Sequence, residues 1–194
     1  MIKKVLGFDI SSTCIGYCLL EFDDSNNQIK YVEMKNHKPS KKGNILDRLS
    51  STQKVIHQII KTYNPDFISI EDIVQHMQNK SSAKTIITLA VFNRMIGLLA
   101  YEHLGHAPEL FNVLSIRHGL KTDKELPKKE DMPELVAKHL GITFPYVYKK
   151  SGARAPESED MADGVAVALY YAFVLTGRIK TKAKKPKTSK RKKK

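Results

Sequence analysis

The chain has 194 residues, 41% of them hydrophobic, and a formal charge of +13 at pH 7. This length and apolar content predict one domain with an ordinary core. Two cysteines, without a Cys-x-x-Cys pair or a Cys/His cluster, argue against a disulfide framework and a structural zinc site, and they predict a reducing, intracellular location. The apolar stretch after Lys3 and Lys4 is short and ends at Asp9, which argues against a signal peptide or a membrane span.

The first predicted elements form a meander of three strands. Residues 3–10, 14–21 and 29–34 have the apolar or alternating patterns of strands, and polar turns separate them. Apolar residues at helical spacing then predict a helix over 44–63, and the run 67–71 predicts a fourth strand. The remaining elements predicted are helices at 81–104, 128–140 and 159–175 and a fifth strand at 110–116.

This order of elements predicts an α/β fold. Three antiparallel strands followed by alternating helices and strands indicate a mixed five-stranded sheet, with an antiparallel meander, parallel strands and helices on both faces. The helix at 81–104 is apolar on nearly every side between Ile86 and Tyr101, which predicts burial on more than one side. We expect it to be too short for a bilayer, with one face on the sheet and another against a second copy of the chain.

Most of the positive charge belongs to the last residues. Residues 178–194 contain eleven Lys and Arg and no acid, so subtracting 11 from +13 leaves +2 for residues 1–177. We therefore predict a globular domain over 1–177 and a disordered tail over 178–194 that adds salt-dependent affinity for a polyanion such as nucleic acid. A solubility tail, a localisation signal and a cloning remnant are the alternatives.

Four acidic residues fall within core elements rather than on solvated faces: Asp9, Glu71, Asp160 and Asp163. Asp9 has apolar neighbours in the first strand, and Glu71 ends the fourth. Asp160 and Asp163 are three residues apart at the start of the last helix, so they share one face. Acids at a helix start are ordinary because they suit the helix dipole. Since buried unpaired carboxylates are costly, the four together predict a cation that neutralises them.

The chemistry of these ligands favours particular ions. Carboxylate oxygens suit Mg²⁺ or Mn²⁺, and two such ions roughly 3.5 to 4 Å apart clamp the attacking and leaving oxygens of a phosphodiester displacement. We therefore predict two Mg²⁺ per active site, with Mn²⁺ able to substitute, and no nucleotide cofactor. Glu157 and Glu159 are close enough in sequence to replace Asp160 in the ligand set. Without metal the four acids repel one another, so the protein should be less stable near neutral pH.

Three motifs carry a family resemblance. They are Gly7-Phe8-Asp9-Ile10-Ser11-Ser12-Thr13 before Gly16, Ile70-Glu71-Asp72-Ile73 leading into Asn79-Lys80-Ser81-Ser82-Ala83, and Asp160-Met161-Ala162-Asp163-Gly164-Val165-Ala166. In order and spacing, over about residues 1–175, they resemble the RuvC family of Holliday junction resolvases. A longer hairpin around 22–30, an insertion near 102–110 and the lysine tail depart from the family pattern.

The resemblance implies an RNase H-like fold and a homodimer. It also implies paired, metal-dependent nicks in four-way DNA junctions that leave 5′-phosphate ends, with Asp9, Glu71, Asp160 and Asp163 as the catalytic metal ligands. In that family the segment after Glu71 approaches the junction centre.

Two groups of residues are predicted to contact DNA. An apolar side chain after Glu71 is predicted to act as a wedge at an unstacked base step, with an ordinary core position as the alternative. Basic residues grouped before and at the start of the helix at 128–140 predict phosphate contacts. The DNA-binding residues predicted are Val74, Met77, Lys80, Arg117, Lys121, Lys124, Lys128 and Lys129.

Three alternative functions fit less of the sequence. An ATPase of the actin and sugar-kinase type shares the strand, acid and Ser/Thr opening, but it needs a second domain, and this chain has no Walker-type glycine loop. A non-catalytic DNA-binding protein explains the tail but not the acids inside strands. An RNase H-like nuclease that acts on an RNA–DNA hybrid, a flap or another branched DNA remains an alternative. The predicted dimer helix favours a junction resolvase over it, because a dimer makes two symmetric cuts.

Overall fold

The computed structural model describes residues 1–73 and 82–180. The strands are β1 (Ile2–Ile10), β2 (Ile15–Asp23), β3 (Ile29–His37), β4 (Phe67–Glu71) and β5 (Glu109–Phe111). The helices are α1 (Ile45–Tyr63), α2 (Ala83–Leu104), α3 (Val113–Leu120), α4 (Met132–Leu140) and α5 (Glu157–Leu175), with a 3₁₀ turn at Lys129–Asp131.

The strands form a mixed five-stranded sheet in the order β3-β2-β1-β4-β5. β2 pairs antiparallel with β1 and β3, while β4 runs parallel to β1 and β5. This topology confirms the predicted α/β fold, in which parallel strands extend an antiparallel meander.

Helices cover both faces of the sheet because the side chains of each strand alternate between the faces. Leu6, Phe8 and Ile10 of β1 belong to a core shared with α1 and α2. Val5, from the alternate set, belongs to a second core shared with α3, α4 and α5. Asp9 lies four residues after Val5, and strand residues an even number apart have their side chains on the same face. The carboxyl group of Asp9 therefore faces the side of the sheet that α5 covers.

Glycines let α5 lie directly on the centre of the sheet. A Cβ atom at Gly16 of β2 would lie 1.7 Å from the carbonyl oxygen of Asp160. A Cβ atom at Gly164 of α5 would lie 2.6 Å from the carbonyl carbon of Gly16, and one at Gly7 of β1 would lie 2.4 Å from the backbone nitrogen of Ala168. The absence of side chains at these positions sets how closely the start of α5 approaches β1 and β2.

The predicted fifth strand at 110–116 is largely wrong. β5 ends at Phe111 because the side chain of Asn112 accepts a hydrogen bond from the backbone N–H of Leu114 at 2.8 Å and caps α3. Ile116 and Leu120, four residues apart, are then buried on one side of the helix. The predicted helix at 128–140 likewise begins with a 3₁₀ turn, and α4 starts at Met132.

The expectation that the helix at 81–104 is too short for a bilayer was also wrong. α2 has 22 residues, and its length and composition are sufficient to cross a membrane. Length and composition alone are weak evidence for a membrane span, because the core helix of a soluble protein also has them. Only 28% of the apolar stretch of α2 is buried in this chain. Phe92, Ile96, Leu99 and Ala100 form the buried side of α2.

Candidate active site

The acidic residues of the sheet come from neighbouring strands. Asp9 lies near the end of β1, and Glu71 is the last residue of β4. In the parallel pairing of β1 with β4, Phe8 lies beside Ile70. The next residue on each strand is an acid, so Asp9 lies beside Glu71. Because Ile70 faces the opposite core, Glu71 shares the α5 side of the sheet with Asp9.

The other two acids come from the first two turns of α5. Asp160 is partly exposed and Asp163 is buried. The contact between Gly16 and Asp160 fixes this part of the helix over β2, and Gly16 pairs with Asp9 in the sheet. The structure therefore brings all four predicted acids to one end of the sheet.

These carboxyl groups strongly affect one another. Burial, followed by the charges of Glu71, Asp163 and Asp160, raises the pKa of Asp9 well above its ordinary value. Burial and the charge of Asp163 raise the pKa of Glu71 to about 7, and burial raises that of Asp163 to about 6. Ionising all of these groups near pH 7 is therefore costly unless a cation neutralises them.

Lys129, in the 3₁₀ turn before α4, contacts three acids of α5. Its ammonium nitrogen lies 3.2 Å from Oδ1 of Asp160, 3.5 Å from Oδ2 of Asp163 and 4.0 Å from Oε2 of Glu159. Burial alone would lower the pKa of Lys129, but Asp163, Asp160 and Asp9 raise it above its ordinary value. One ammonium group thus offsets part of the charge of three carboxylates.

The donor set fits a hard divalent cation. The side chains at this end of the sheet are carboxylates, which Mg²⁺ and Mn²⁺ prefer, and burial together with neighbouring charges raises the pKa of Asp9 and Glu71. Within residues 1–73 and 82–180, no three His, Cys, Asp or Glu side chains already converge as a metal-ligand shell. Asp9, Glu71, Asp160 and Asp163 would hold the metal once Lys129 gives up its contacts with Asp160 and Asp163.

The two alternative ligands differ in position. Glu157 pairs with Lys38, from the loop after β3. At 3.6 residues per turn, Glu157 lies roughly 60° around α5 from Asp160 and roughly 120° from Asp163, so it stands at the edge of the cluster, where Lys38 pairs with it. Glu159 keeps only the 4.0 Å contact with Lys129.

Asn93 of α2 is a functional candidate that the sequence analysis missed. Its side-chain amide donates a hydrogen bond to the carbonyl oxygen of Glu71 at 2.9 Å and so fixes the end of β4. Asn93 is buried and lines, with Asp9 and Glu71, a small cavity of about 60 Å³. Asn93 interrupts the largely apolar run from Ile86 to Tyr101, as Thr88 and Arg94 also do, and that interruption was the available signal.

Comparison with known proteins identifies the family. The family model described as crossover junction endodeoxyribonuclease RuvC matches residues 5–143. The chain belongs to the RuvC family. A RuvC protein from Fusobacterium nucleatum subsp. nucleatum is 26% identical over 176 residues, covering 91% of this chain and 83% of that protein. Family membership makes the chain a divalent-metal-dependent nuclease of the crossover-junction class.

Solved structures of RuvC-type proteins share the fold. RuvC of T. thermophilus in complex with a Holliday junction substrate has a TM-score of 0.65 at 17% identity, covering 89% of this chain and 94% of that one. The yeast mitochondrial Holliday junction resolvase has a TM-score of 0.62 at 14% identity, covering 88% and 78%. These likenesses confirm the predicted RNase H-like fold.

The residues predicted to contact DNA are distributed unevenly in this RuvC-family chain. Val74, Met77 and Lys80 lie outside the described residues. Arg117 of α3 lies close enough to the acids for its charge to lower the pKa of Glu71 and of Asp163, against the larger effect of burial. Its buried Nε has no hydrogen-bond partner within the described part of the chain.

The remaining predicted contacts surround a separate cavity of about 530 Å³ between the 121–128 loop and α4. Lys121, Lys124 and Lys128 line it, but Lys138 and four acids do too. The acids are Asp123, Glu125, Asp131 and Glu134. Charge there is balanced, so this cavity is a weaker candidate for phosphate binding than the sequence suggested.

The pKa shifts predict how stability depends on pH when metal is removed. Glu71 and Asp163 bind protons more tightly in the folded state than in the unfolded state, because their folded pKa values are raised. Protonation therefore supports the fold at low pH, and stability should fall as pH rises through the folded values of about 6 and about 7. Thermal unfolding with EDTA, compared between pH 5 and pH 8, measures this fall.

Mg²⁺ should raise the unfolding temperature more at the higher pH, because only ionised carboxylates bind it well. Glu71→Gln supplies the control, since it removes one of the titrating groups and should flatten the profile. A metal-free protein that is more stable at the higher pH would contradict this account.

Proposed function

We propose that this chain resolves four-way DNA junctions by paired hydrolysis of phosphodiester bonds in two strands, leaving 5′-phosphate ends. The observation that carries the proposal is the meeting of Asp9, Glu71, Asp160 and Asp163, from three separate segments, at one end of an RNase H-like sheet. Membership of the RuvC family supports this class of substrate.

The four carboxylates would hold two Mg²⁺ ions, for which Mn²⁺ would substitute. Bound there, such ions would supply neutralising charge, an activated water and stabilisation of the leaving oxygen. Arg117 and Lys129 lie beside the carboxylates and provide positive charge for an approaching phosphate. Asn93 keeps Glu71 in place through its hydrogen bond to the Glu71 backbone.

A homodimer places two such sites on one junction. Ile87, Val91, Leu98 and Tyr101 are exposed on α2 and recur at intervals of three, four and seven residues, as in a helix that packs on a second helix. Exposed fractions of 63% at Ile87 and 57% at Leu98 are high for large apolar side chains. A second copy of α2 covers this stripe and relates the two acid clusters by twofold symmetry.

The globular domain spans residues 1–177, and the lysine-rich tail at 178–194 adds affinity for DNA of any sequence. Residues 181–194 lie outside the described part of the chain, whereas Arg178 stacks on Phe173 with 5.2 Å between its guanidinium carbon and the ring centre. The protein acts where DNA is present inside the cell. Buried, unpaired Cys14 and Cys18 are compatible with a reducing compartment.

A cruciform plasmid tests junction resolution and pairing together. Two cuts within one encounter convert the supercoiled plasmid directly to linear DNA, whereas separate cuts accumulate nicked circles. The wild-type protein with Mg²⁺ should give mainly linear product, and Leu98→Glu should give mainly nicked circles, because a charge on the apolar stripe opposes dimer formation. Gel electrophoresis of the products and sedimentation of both proteins measure these outcomes.

Val32→Glu is the matched control, since Val32 is an exposed apolar residue on β3, away from α2. It should behave as wild type in both measurements. Cleavage of a flap or an RNA–DNA hybrid in preference to the junction would overturn the proposed substrate. A wild-type protein that sediments as a monomer at micromolar concentration would overturn the dimer.

A further inference from the structure

A small hairpin between α4 and α5 carries two lysines at its tip. The backbone N–H of Ala155 donates to the carbonyl oxygen of Val147 at 2.8 Å, and Tyr148 bridges to Arg154. The tip turns through Lys149–Gly152, where Gly152 has a φ of 81° and its N–H donates to the carbonyl oxygen of Lys149 at 2.9 Å. The tip is exposed, and its turn is held by its own hydrogen bonds.

The base of this hairpin is fixed to the helix that carries the acids. The backbone N–H of Val147 donates to Oγ of Ser158 at 2.9 Å, and that hydroxyl donates back to the carbonyl oxygen of Val147 at 3.3 Å. Ser158 is 2% exposed and lies two residues before Asp160. The hairpin therefore holds a defined position relative to the acid cluster.

A second basic segment meets the hairpin at Glu157. Lys38 pairs with Glu157, and the charge of Lys149 contributes to lowering the pKa of the same carboxyl group. The segment after Lys38 is tied to the rim of the active site by Arg48. The Arg48 guanidinium donates to the carbonyl oxygen of Ser40 at 2.7 Å and to that of Ser12 at 2.5 Å.

We define the rim patch as Lys38, Lys41, Lys42, Lys149 and Lys150. All five are exposed; Lys38 forms an ion pair with Glu157, and Lys149 is near enough for its charge to act on the same carboxylate. Arg154 is neutralised separately, because it pairs with Glu134 at 3.0 Å and stacks on Tyr146. The patch thus keeps a positive excess, in contrast to the balanced cavity beside α4.

The rim patch and Lys129 lie on different sides of the start of α5. Glu157, which pairs with Lys38, lies roughly 60° around the helix from Asp160 and roughly 120° from Asp163, the two acids that Lys129 contacts at 3.2 and 3.5 Å. A DNA strand that places a phosphate at the acids would therefore have positive charge available on both sides of that phosphate.

We propose that the rim patch binds the phosphates of one junction arm, on the side of the acid cluster away from Lys129. This inference rests on the proposed function, because it assigns a contact surface for the same substrate. Lys150 lies three residues beyond Val147, so the tip reaches about 10 Å past Ser158 at roughly 3.3 Å per residue. At about 3.4 Å per nucleotide, the phosphates concerned lie within about three to six nucleotides of the cut.

The test combines the variant Lys149→Glu/Lys150→Glu with Lys30→Glu/Lys61→Glu as control. Lys30 and Lys61 are exposed lysines at the other end of the molecule, on β3 opposite Glu21 and in the last turn of α1. Junction affinity is measured in Ca²⁺ across a range of salt concentrations. The tip variant should bind about tenfold more weakly and lose about two units of salt slope, near 0.9 per phosphate contact, while the control should match wild type.

Neutral methylphosphonates placed singly along the arm locate the contact. Those about three to six nucleotides from the cut should weaken binding of wild type and leave the tip variant unaffected, as expected for coupled partners. If wild type binds the junction and the tip variant binds it as tightly as the control variant does, this inference is overturned and the proposed function is not. If the wild-type protein does not bind four-way junctions, the proposed function itself is overturned.

Discussion

Replacing Asp9 with asparagine is expected to abolish junction cleavage while leaving junction binding intact. The amide keeps the shape of the side chain but removes a charge that holds metal, so the cleavage rate should fall about a thousandfold or more, as when one electrostatic group is removed from a catalytic site. Single-turnover cleavage of a labelled junction in Mg²⁺ measures the rate, and binding in Ca²⁺ measures affinity.

The same substitution should not destabilise the metal-free protein. Burial and three neighbouring carboxylates raise the pKa of Asp9 well above its ordinary value, so the ionised side chain opposes folding near neutral pH. Asp9→Asn should therefore unfold at the same temperature as wild type, or a higher one, in EDTA. A loss of cleavage that came with a large loss of stability would indicate misfolding instead of a missing ligand.

Asp66→Asn is the matched control for Asp9→Asn. Asp66 is a carboxylate at the opposite end of β1, where it accepts a hydrogen bond from the backbone N–H of Lys4 at 2.8 Å and pairs with Lys3. Its replacement should cost some stability and leave the cleavage rate unchanged. Retained cleavage by Asp9→Asn in Mg²⁺ would contradict the metal assignment.

The acidic residues could be recognised in the sequence because carboxylates are unusual at their positions. Asp9 interrupts an apolar strand and Glu71 ends one, and neither position suits a carboxylate without a partner. The strand patterns predicted an antiparallel meander followed by parallel strands, and the structure confirms that mixed sheet. The sequence therefore contained enough to predict the fold class, while the metal-binding role of the four acids stays a prediction.

Other features depend on contacts between distant segments. Lys129 was predicted as a phosphate contact, and nothing in its local sequence indicates that Asp160 and Asp163 lie within 3.5 Å of its ammonium group. The strand predicted at 110–116 failed at Asn112, because apolar spacing there suits a strand or a short helix and a capping side chain decides between them. The role of Gly16 also required the fold, since the residue it touches is Asp160.

Substituting alanine for Gly16 should be the most damaging small change outside the acids. The added methyl group would lie 1.7 Å from the backbone carbonyl oxygen of Asp160, and backbone atoms cannot yield as a flexible side chain does. We expect a loss of at least about 3 kcal/mol in the free energy of unfolding, the upper end of overpacking costs. Urea denaturation of the metal-free protein at pH 5 measures the loss with Glu71 and Asp163 largely protonated.

Gly16→Ala should also reduce cleavage in molecules that remain folded, because α5 must move away from β2 and carry Asp160 and Asp163 away from Asp9. Gly97→Ala is the control, since a Cβ atom at Gly97 meets nothing within 4 Å and alanine favours a helix by roughly 0.5–1 kcal/mol. That variant should be equally or more stable. If Gly16→Ala retained both stability and cleavage, the close packing of α5 on the sheet would not be needed to bring the acids together. Another contact would then have to position Asp160 and Asp163.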